Sequence, residues 1–211
     1  MTALALLLAV SALASGPAEL FDAHGCRSCH KVGYKGGNAG PDLTFVGHRR
    51  PAAWLEKWLA SPRHVKPDSR MPEQGLPASD REALAGWLSR QKGSAWGDDE
   101  PWDAVSDPAR KGRLVYDRAG CVACHGPAGG GGHPNPGAHG GIIPALGPLM
   151  GTYTAAELKN KLKKGVVPEV HDGPPAEVNM PGWEGLLDEN ELDALTVYLL
   201  SLAKDQPKSE W

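Results

Sequence analysis

The 211-residue chain has little aromatic surface, only 6% Phe, Trp and Tyr, with two phenylalanines in all. It has no basic run and a formal net charge of −3, so it lacks the electrostatic footprint of a nucleic-acid binder. After residue 14 no apolar stretch approaches the ~20 residues that a membrane-spanning helix requires. Strand-like alternation of apolar and polar residues is also missing, which points to helix and loop rather than sheet. Glycine and proline are plentiful instead, 27 and 19 of them, so loops should be long and helices short. Small, loop-rich units bury little apolar area and need a staple such as disulfides, a metal or a cofactor.

The first residues, MTALALLLAVSALASG, are apolar and uncharged, with Ala12-Leu13-Ala14 offering a small-residue cleavage site before Ser15. Residues 1–14 therefore read as a secretory signal peptide or an uncleaved N-terminal anchor. Export places the protein in the periplasm or on the outer face of the cytoplasmic membrane. Four cysteines in an exported chain would ordinarily suggest two disulfides. All four, however, lie in two copies of one pattern, GCRSCH at 25–30 and GCVACH at 120–125. Cys-x-x-Cys-His is the attachment signature of c-type haem. Two thiols one helical turn apart reach the two vinyl groups on one side of a porphyrin, and the adjacent imidazole lies beneath the ring. Cys26, Cys29, Cys121 and Cys124 are thus read as attachment residues for two haem c groups, and His30 and His125 as axial iron ligands. A zinc site built from both pairs and a thioredoxin-like dithiol are the alternatives. Zinc would need the pairs close in space, and no βαβ pattern flanks either motif.

The two halves match beyond the hexapeptide. Phe21 and Tyr116 each precede the first Cys by five residues, on short runs that end in Gly (PAELFDAHG and ARKGRLVYDRAG). GPDL at 40–43 answers to IPAL at 143–146. A helix follows in each half: RPAAWLEKWLASP, with apolar Trp54, Leu55, Trp58 and Leu59, and YTAAELKNKLKKG, with a Thr154-x-x-Glu157 capping box. Each half then carries Met-Pro, at 71–72 and 180–181. Each closes on an amphipathic helix: SDREALAGWLSR, with a Ser79-x-x-Glu82 box, and DENELDALTVYLLSL, burying Leu192, Leu195, Tyr198, Leu199 and Leu202. The fold expected is all-α, two tandem modules over 15–90 and 110–203, an acidic Pro/Gly linker over 91–109 and a tail over 204–211.

The sixth coordination position takes either a ligand or an open site. Met71 and Met180 occupy matching places, each followed by a proline that stiffens the loop, and are read as the axial thioether ligands. Met150 competes with Met180 at the second haem but reads as core or pocket lining. His48 or His64 could replace Met71, and His133, His139 or His171 could replace Met180; these histidines and His24 sit in polar or Gly/Pro-flanked surroundings that suggest exposure. A ligating histidine donates its other ring N–H to a carbonyl or carboxylate, which gives Pro41 and Pro144 the role of acceptors behind His30 and His125.

In this order the elements resemble class I c-type cytochromes, and their tandem di-haem members in particular. That resemblance implies a small α fold wrapped around each haem, with first and last helices crossing, Phe21 meeting the Trp87 helix and Tyr116 the Tyr198 helix. Gly112, four residues before Tyr116, would permit a close crossing; Pro17 stands at the equivalent place in the first half. The implied function is one-electron transfer, not catalysis, between redox proteins such as a bc-type complex and a terminal oxidase or reductase. The alternatives are a fixed subunit of a membrane respiratory complex, bc-type or oxidase, and a di-haem oxidoreductase related to thiosulfate dehydrogenases or peroxidases. Association with the membrane could come through the N-terminus or a complex.

Overall fold

Proline and glycine set the lengths of the helices. In the computed structural model, residues 16–33, 35–93, 102–168 and 175–205 are described. The leader at 1–14, the middle of the linker, His171 and the tail beyond 205 lie outside the described residues. The N-terminal half holds α1 (Pro17–Ala23), α2 (Val46–Arg49), α3 (Ala52–Ala60), α4 (Pro62–Val65) and α5 (Ala78–Ser89). The C-terminal half holds α6 (Pro108–Arg118), α7 (Val122–His125), α8 (Leu146–Met150), α9 (Ala155–Lys164) and α10 (Glu189–Ser201). Pro17, Pro62 and Pro108 occupy first turns, where a missing N–H costs nothing. The sheet expected to be absent exists in miniature: β1 (Lys31–Val32) pairs antiparallel with β2 (Lys35–Gly36), Lys31 facing Gly36. Two residues per strand are too few for alternation to register.

Two helices carry reciprocal caps. Thr154 accepts from the Glu157 amide while the Glu157 carboxylate accepts from the Thr154 amide, starting α9. Asp188 and Glu191 do the same for α10. Each cap contributes about 1 kcal/mol. The Ser79 box does not form. Pro77 is the N-cap, so Ser79 lies inside the first turn and its hydroxyl turns to Asp80.

In the N-terminal half α1 and α3 pack on α5, with the Phe21 and Trp87 rings 5.3 Å apart. In the C-terminal half α6 and α9 pack on α10, with Tyr116 and Tyr198 meeting edge to face at 5.4 Å. Gly112 makes the second crossing close: a methyl there would lie 1.9 Å from the Ala194 carbonyl oxygen. Gly86 on α5 has no such neighbour, its nearest being the Arg90 guanidinium at 3.6 Å.

The two hydrophobic clusters trade residues. Phe45 of the N-terminal half is buried in the C-terminal cluster, while Ile143 and Val178 of the C-terminal half are buried in the N-terminal one. Fully burying side chains of this size contributes about 1.5–3 kcal/mol each, so the halves are packed together and not merely tethered. Trp102, expected in the linker, is 0% exposed and belongs to the C-terminal cluster. His133, expected at the surface, is buried against the rings of Trp54 and Trp58.

Candidate cofactor sites

The first hexapeptide owes its shape to Gly25. Its left-handed backbone, φ 70°, ends α1 and starts a single tight turn. The His30 amide donates to the Cys26 carbonyl at 2.9 Å, so Cys26, Cys29 and His30 share one turn. Both thiols are free, Cys26 half-buried and Cys29 exposed. The loop after it returns to the same turn, the Gly40 amide bonding the Cys29 carbonyl at 2.8 Å. Gly40 leaves room for the imidazole: a methyl there would sit 2.3 Å from His30 Cε1. His30 Nδ1 donates to the Pro41 carbonyl at 2.8 Å, leaving Nε2 as the lone-pair nitrogen. Burial holds the His30 imidazole below its ordinary pKa, against the opposing effects of the Pro41 carbonyl and Asp42. Met71 packs half-buried on the N-terminal cluster, and its sulfur accepts the Trp58 indole N–H at 3.0 Å. A thioether keeps a second lone pair for a metal.

Gly120, φ 75°, plays the part of Gly25 in the second copy, and the His125 amide bonds the Cys121 carbonyl at 2.9 Å. The Tyr116 hydroxyl donates to the Gly126 carbonyl at 2.7 Å, tying the end of this turn to α6. Burial pushes the Cys121 thiol up to about 12 and the His125 imidazole down to about 4, the latter with a smaller contribution from Arg50. The expected His125–Pro144 pair is not made: His125 Nδ1 is buried without a hydrogen-bond partner. The glycine-rich insertion is the reason. Gly131 bonds the His125 carbonyl and Gly132 the Ile143 carbonyl, both at 2.8 Å. The insertion thereby packs on the Pro144–Ala145 backbone, where a methyl on Gly131 would come within 2.4 Å of the Ala145 nitrogen. Met180 is half-buried against the C-terminal cluster in a two-bond bridge with Val166, at 2.9 and 3.0 Å. Met150 is buried in α8 within the same cluster.

The donor sets suit a tethered porphyrin. Each turn offers two thiols and one imidazole nitrogen, and in the first half a room-making glycine frames the ring. Among the described residues no three His, Cys, Asp or Glu side chains gather into a metal-binding group, so the Cys pairs do not build a shared zinc site.

Between the two turns lies a polar seam. Arg49 and Arg50, 4% and 5% exposed, stand at the end of α2, and Arg49 reaches into the C-terminal half. Arg49 Nη1 donates to the Ala119 carbonyl and Nη2 to the Asp42 carbonyl at 3.1 Å. Arg50 stacks over the Trp54 ring at 4.2 Å, and the Asp42 carboxylate lies 3.5 Å from Arg118 Nε. Sequence reasoning missed these residues; the paired arginines before Pro51 are the only local signal, and paired arginines usually lie at the surface.

A family model described as cytochrome c matches residues 17–92 and 109–203. The chain belongs to the cytochrome c family. As a cytochrome c it is a covalent haem c protein whose chemistry is electron transfer. A curated relative, cytochrome c oxidase subunit 2 of Alkalihalophilus pseudofirmus, is 33% identical over 89 residues. The alignment covers 38% of this cytochrome and 26% of that protein, so the chain spans about a quarter of the relative's length. No solved structure matches.

Proposed function

We propose that the protein is a di-haem c-type cytochrome, two modules in tandem, that moves single electrons between respiratory redox proteins on the outer side of the cytoplasmic membrane. The observation that carries this reading is the repetition of one turn: in each half two thiols and an imidazole are set by the same backbone bond, from His30 to Cys26 and from His125 to Cys121. Cys26 and Cys29 would hold one haem c and Cys121 and Cys124 the other, with His30 and Met71, and His125 and Met180, as axial ligands. When bound, the porphyrin iron supplies a one-electron couple, and a thioether opposite an imidazole sets it at high potential.

The protein's own groups provide the rest. The Pro41 carbonyl fixes the His30 tautomer and ring plane. Trp58 orients the Met71 sulfur by its N–H. The Val166 bridge fixes the Met180 backbone. Were the side chains of His30 and Met71, and of His125 and Met180, to hold the two irons, no position on either metal would remain for a substrate, which suits carrying charge and not transforming a molecule. The net negative charge favours basic docking patches and salt-sensitive encounter with donor and acceptor.

The second reading is a fixed subunit of a terminal oxidase, favoured by the similarity to an oxidase subunit 2 over 89 residues. Spectroscopy and hydrodynamics separate the possibilities. A carrier gives two low-spin irons that do not bind carbon monoxide and a chain that purifies alone. Co-purification with oxidase subunits in stoichiometric amount supports the subunit reading. A high-spin iron that takes carbon monoxide overturns the carrier assignment in favour of an oxidoreductase.

A further inference from the structure

The chain runs further from His125 to Pro144 than from His30 to Pro41, yet the His125 ring gains nothing from the excess, its Nδ1 staying without a partner. One buried side chain of the insertion, His133, turns instead to the N-terminal half. It is 6% exposed, and its ring lies 6.3 Å from the Trp54 ring and 6.5 Å from the Trp58 ring, centroid to centroid. Both tryptophans belong to α3. Further contacts hold the insertion there. Asn135 makes both its bonds with the Val178 backbone, and the Glu177 amide donates to the Pro136 carbonyl at 2.9 Å. Lys57 of α3 pairs with the Glu177 carboxylate at 2.9 Å, and Ile143 and Val178 are buried in the N-terminal cluster.

The rings that His133 meets are those behind Met71. Trp54 and Trp58 stack at 5.3 Å with 13° between their planes, and the Trp58 N–H donates to the Met71 sulfur at 3.0 Å. Such a bond needs aim. The terminal torsion of a tryptophan lies in a broad well, so the N–H stays on the sulfur only while the ring is packed. Aromatic rings at these separations attract one another. Burial holds the His133 imidazole below its ordinary pKa, against the Pro134 carbonyl and Asp68 and together with Arg50 and Lys66. At neutral pH it therefore packs as an uncharged ring.

We propose that His133 of the C-terminal half is a positioning residue for the N-terminal site: it fixes the Trp54–Trp58 stack and so keeps the Trp58 N–H on the Met71 sulfur. This rests on the reading of His30 and Met71 as axial ligands. A hydrogen bond to the thioether draws electron density from sulfur, weakens its donation to ferric iron and raises the potential of that site. The insertion of one half thereby completes the site of the other.

The test is a redox titration of the full-length, haem-loaded protein beside His133→Ala, His133→Phe, Trp58→Phe and the His133→Ala/Trp58→Phe pair. Met71→Ala identifies which potential belongs to the N-terminal site. If Met71→Ala moves no potential, the axial reading fails and the proposal falls with it. With that potential assigned, Trp58→Phe, which keeps a ring and removes the N–H, should lower it. His133→Ala should lower it by most of the same shift, should move the C-terminal potential less, and should add nothing in the Trp58→Phe background. His133→Phe should keep the wild-type value, because the stack needs a flat, uncharged ring and not a nitrogen. An N-terminal potential unchanged in Trp58→Phe or His133→Ala while Met71→Ala shifts it, a larger shift at the C-terminal site, or a Phe variant that falls as far as the Ala one would overturn the proposal alone.

Discussion

Replacing Gly112 by Ala adds one methyl where the structure has no room. It would lie 1.9 Å from the Ala194 carbonyl oxygen, 2.5 Å from its carbon and 2.8 Å from Tyr198 Cβ. Ordinary contact begins at 3.4 Å, so α6 and α10 must part by about 1.5 Å (3.4 − 1.9) at their crossing. The obstructing atoms are mostly backbone and cannot swing aside. Overpacking of this kind costs about 1–3 kcal/mol or more, and the separation also loosens the Tyr116–Tyr198 contact. Alanine returns about 1 kcal/mol in helix propensity. At the upper end of that range the net loss is about 2 kcal/mol, which lowers Tm by roughly 4–8 °C in a chain of this size. Gly86→Ala is the control, because its nearest obstacle is the far end of a flexible Arg90 at 3.6 Å. It should gain about 0.5–1 kcal/mol and raise Tm by a few degrees. Thermal unfolding of the haem-loaded protein, followed by helix circular dichroism, compares the two. A Gly112→Ala Tm at or above wild type, or a Gly86→Ala Tm that falls equally, refutes the close-crossing argument.

Asn135→Ala removes both side-chain bonds to the Val178 backbone, each 3.0 Å, and strands two buried groups. It should cost about 2–4 kcal/mol and speed hydrogen exchange at the Val178 amide. Trp102→Ala should cost about 3–5 kcal/mol in thermal unfolding, since the ring is 0% exposed; a neutral substitution would return Trp102 to the linker. Met71→Ala in the loaded protein should leave the haem at Cys26 and Cys29 attached, turn that iron high-spin and lower its potential; an unchanged spectrum would remove Met71 from the coordination sphere.

Most helices were legible because their signals are local. Proline starts, glycine stops, the Thr154–Glu157 box and the 3.6-residue spacing of Leu158 and Leu162 act within a few residues of chain. The aromatic pairs Phe21–Trp87 and Tyr116–Tyr198 followed from the repeat and the family resemblance together. What escaped depends on long-range partners. Nothing around Phe45, Ile143 or Val178 shows that each serves the other half's core. His133 reads as exposed in a glycine-rich loop, yet that loop folds onto the Trp54–Trp58 stack. Trp102 sits in an acidic, Pro-broken stretch whose composition masks a single anchoring ring. At the sites, the turn from Cys to His is short-range and readable. The His125–Pro144 pair is not made, and the glycine insertion bonds the His125 backbone carbonyl through Gly131 instead.

The most direct measurement is the intact mass of the purified protein under denaturing conditions, read with its reduced absorption spectrum. Two covalent haem additions, falling to one in Cys121→Ala/Cys124→Ala and to one in Cys26→Ala/Cys29→Ala, are the predicted result. A colourless chain at its bare polypeptide mass, or one carrying zinc at the four cysteines, contradicts the account.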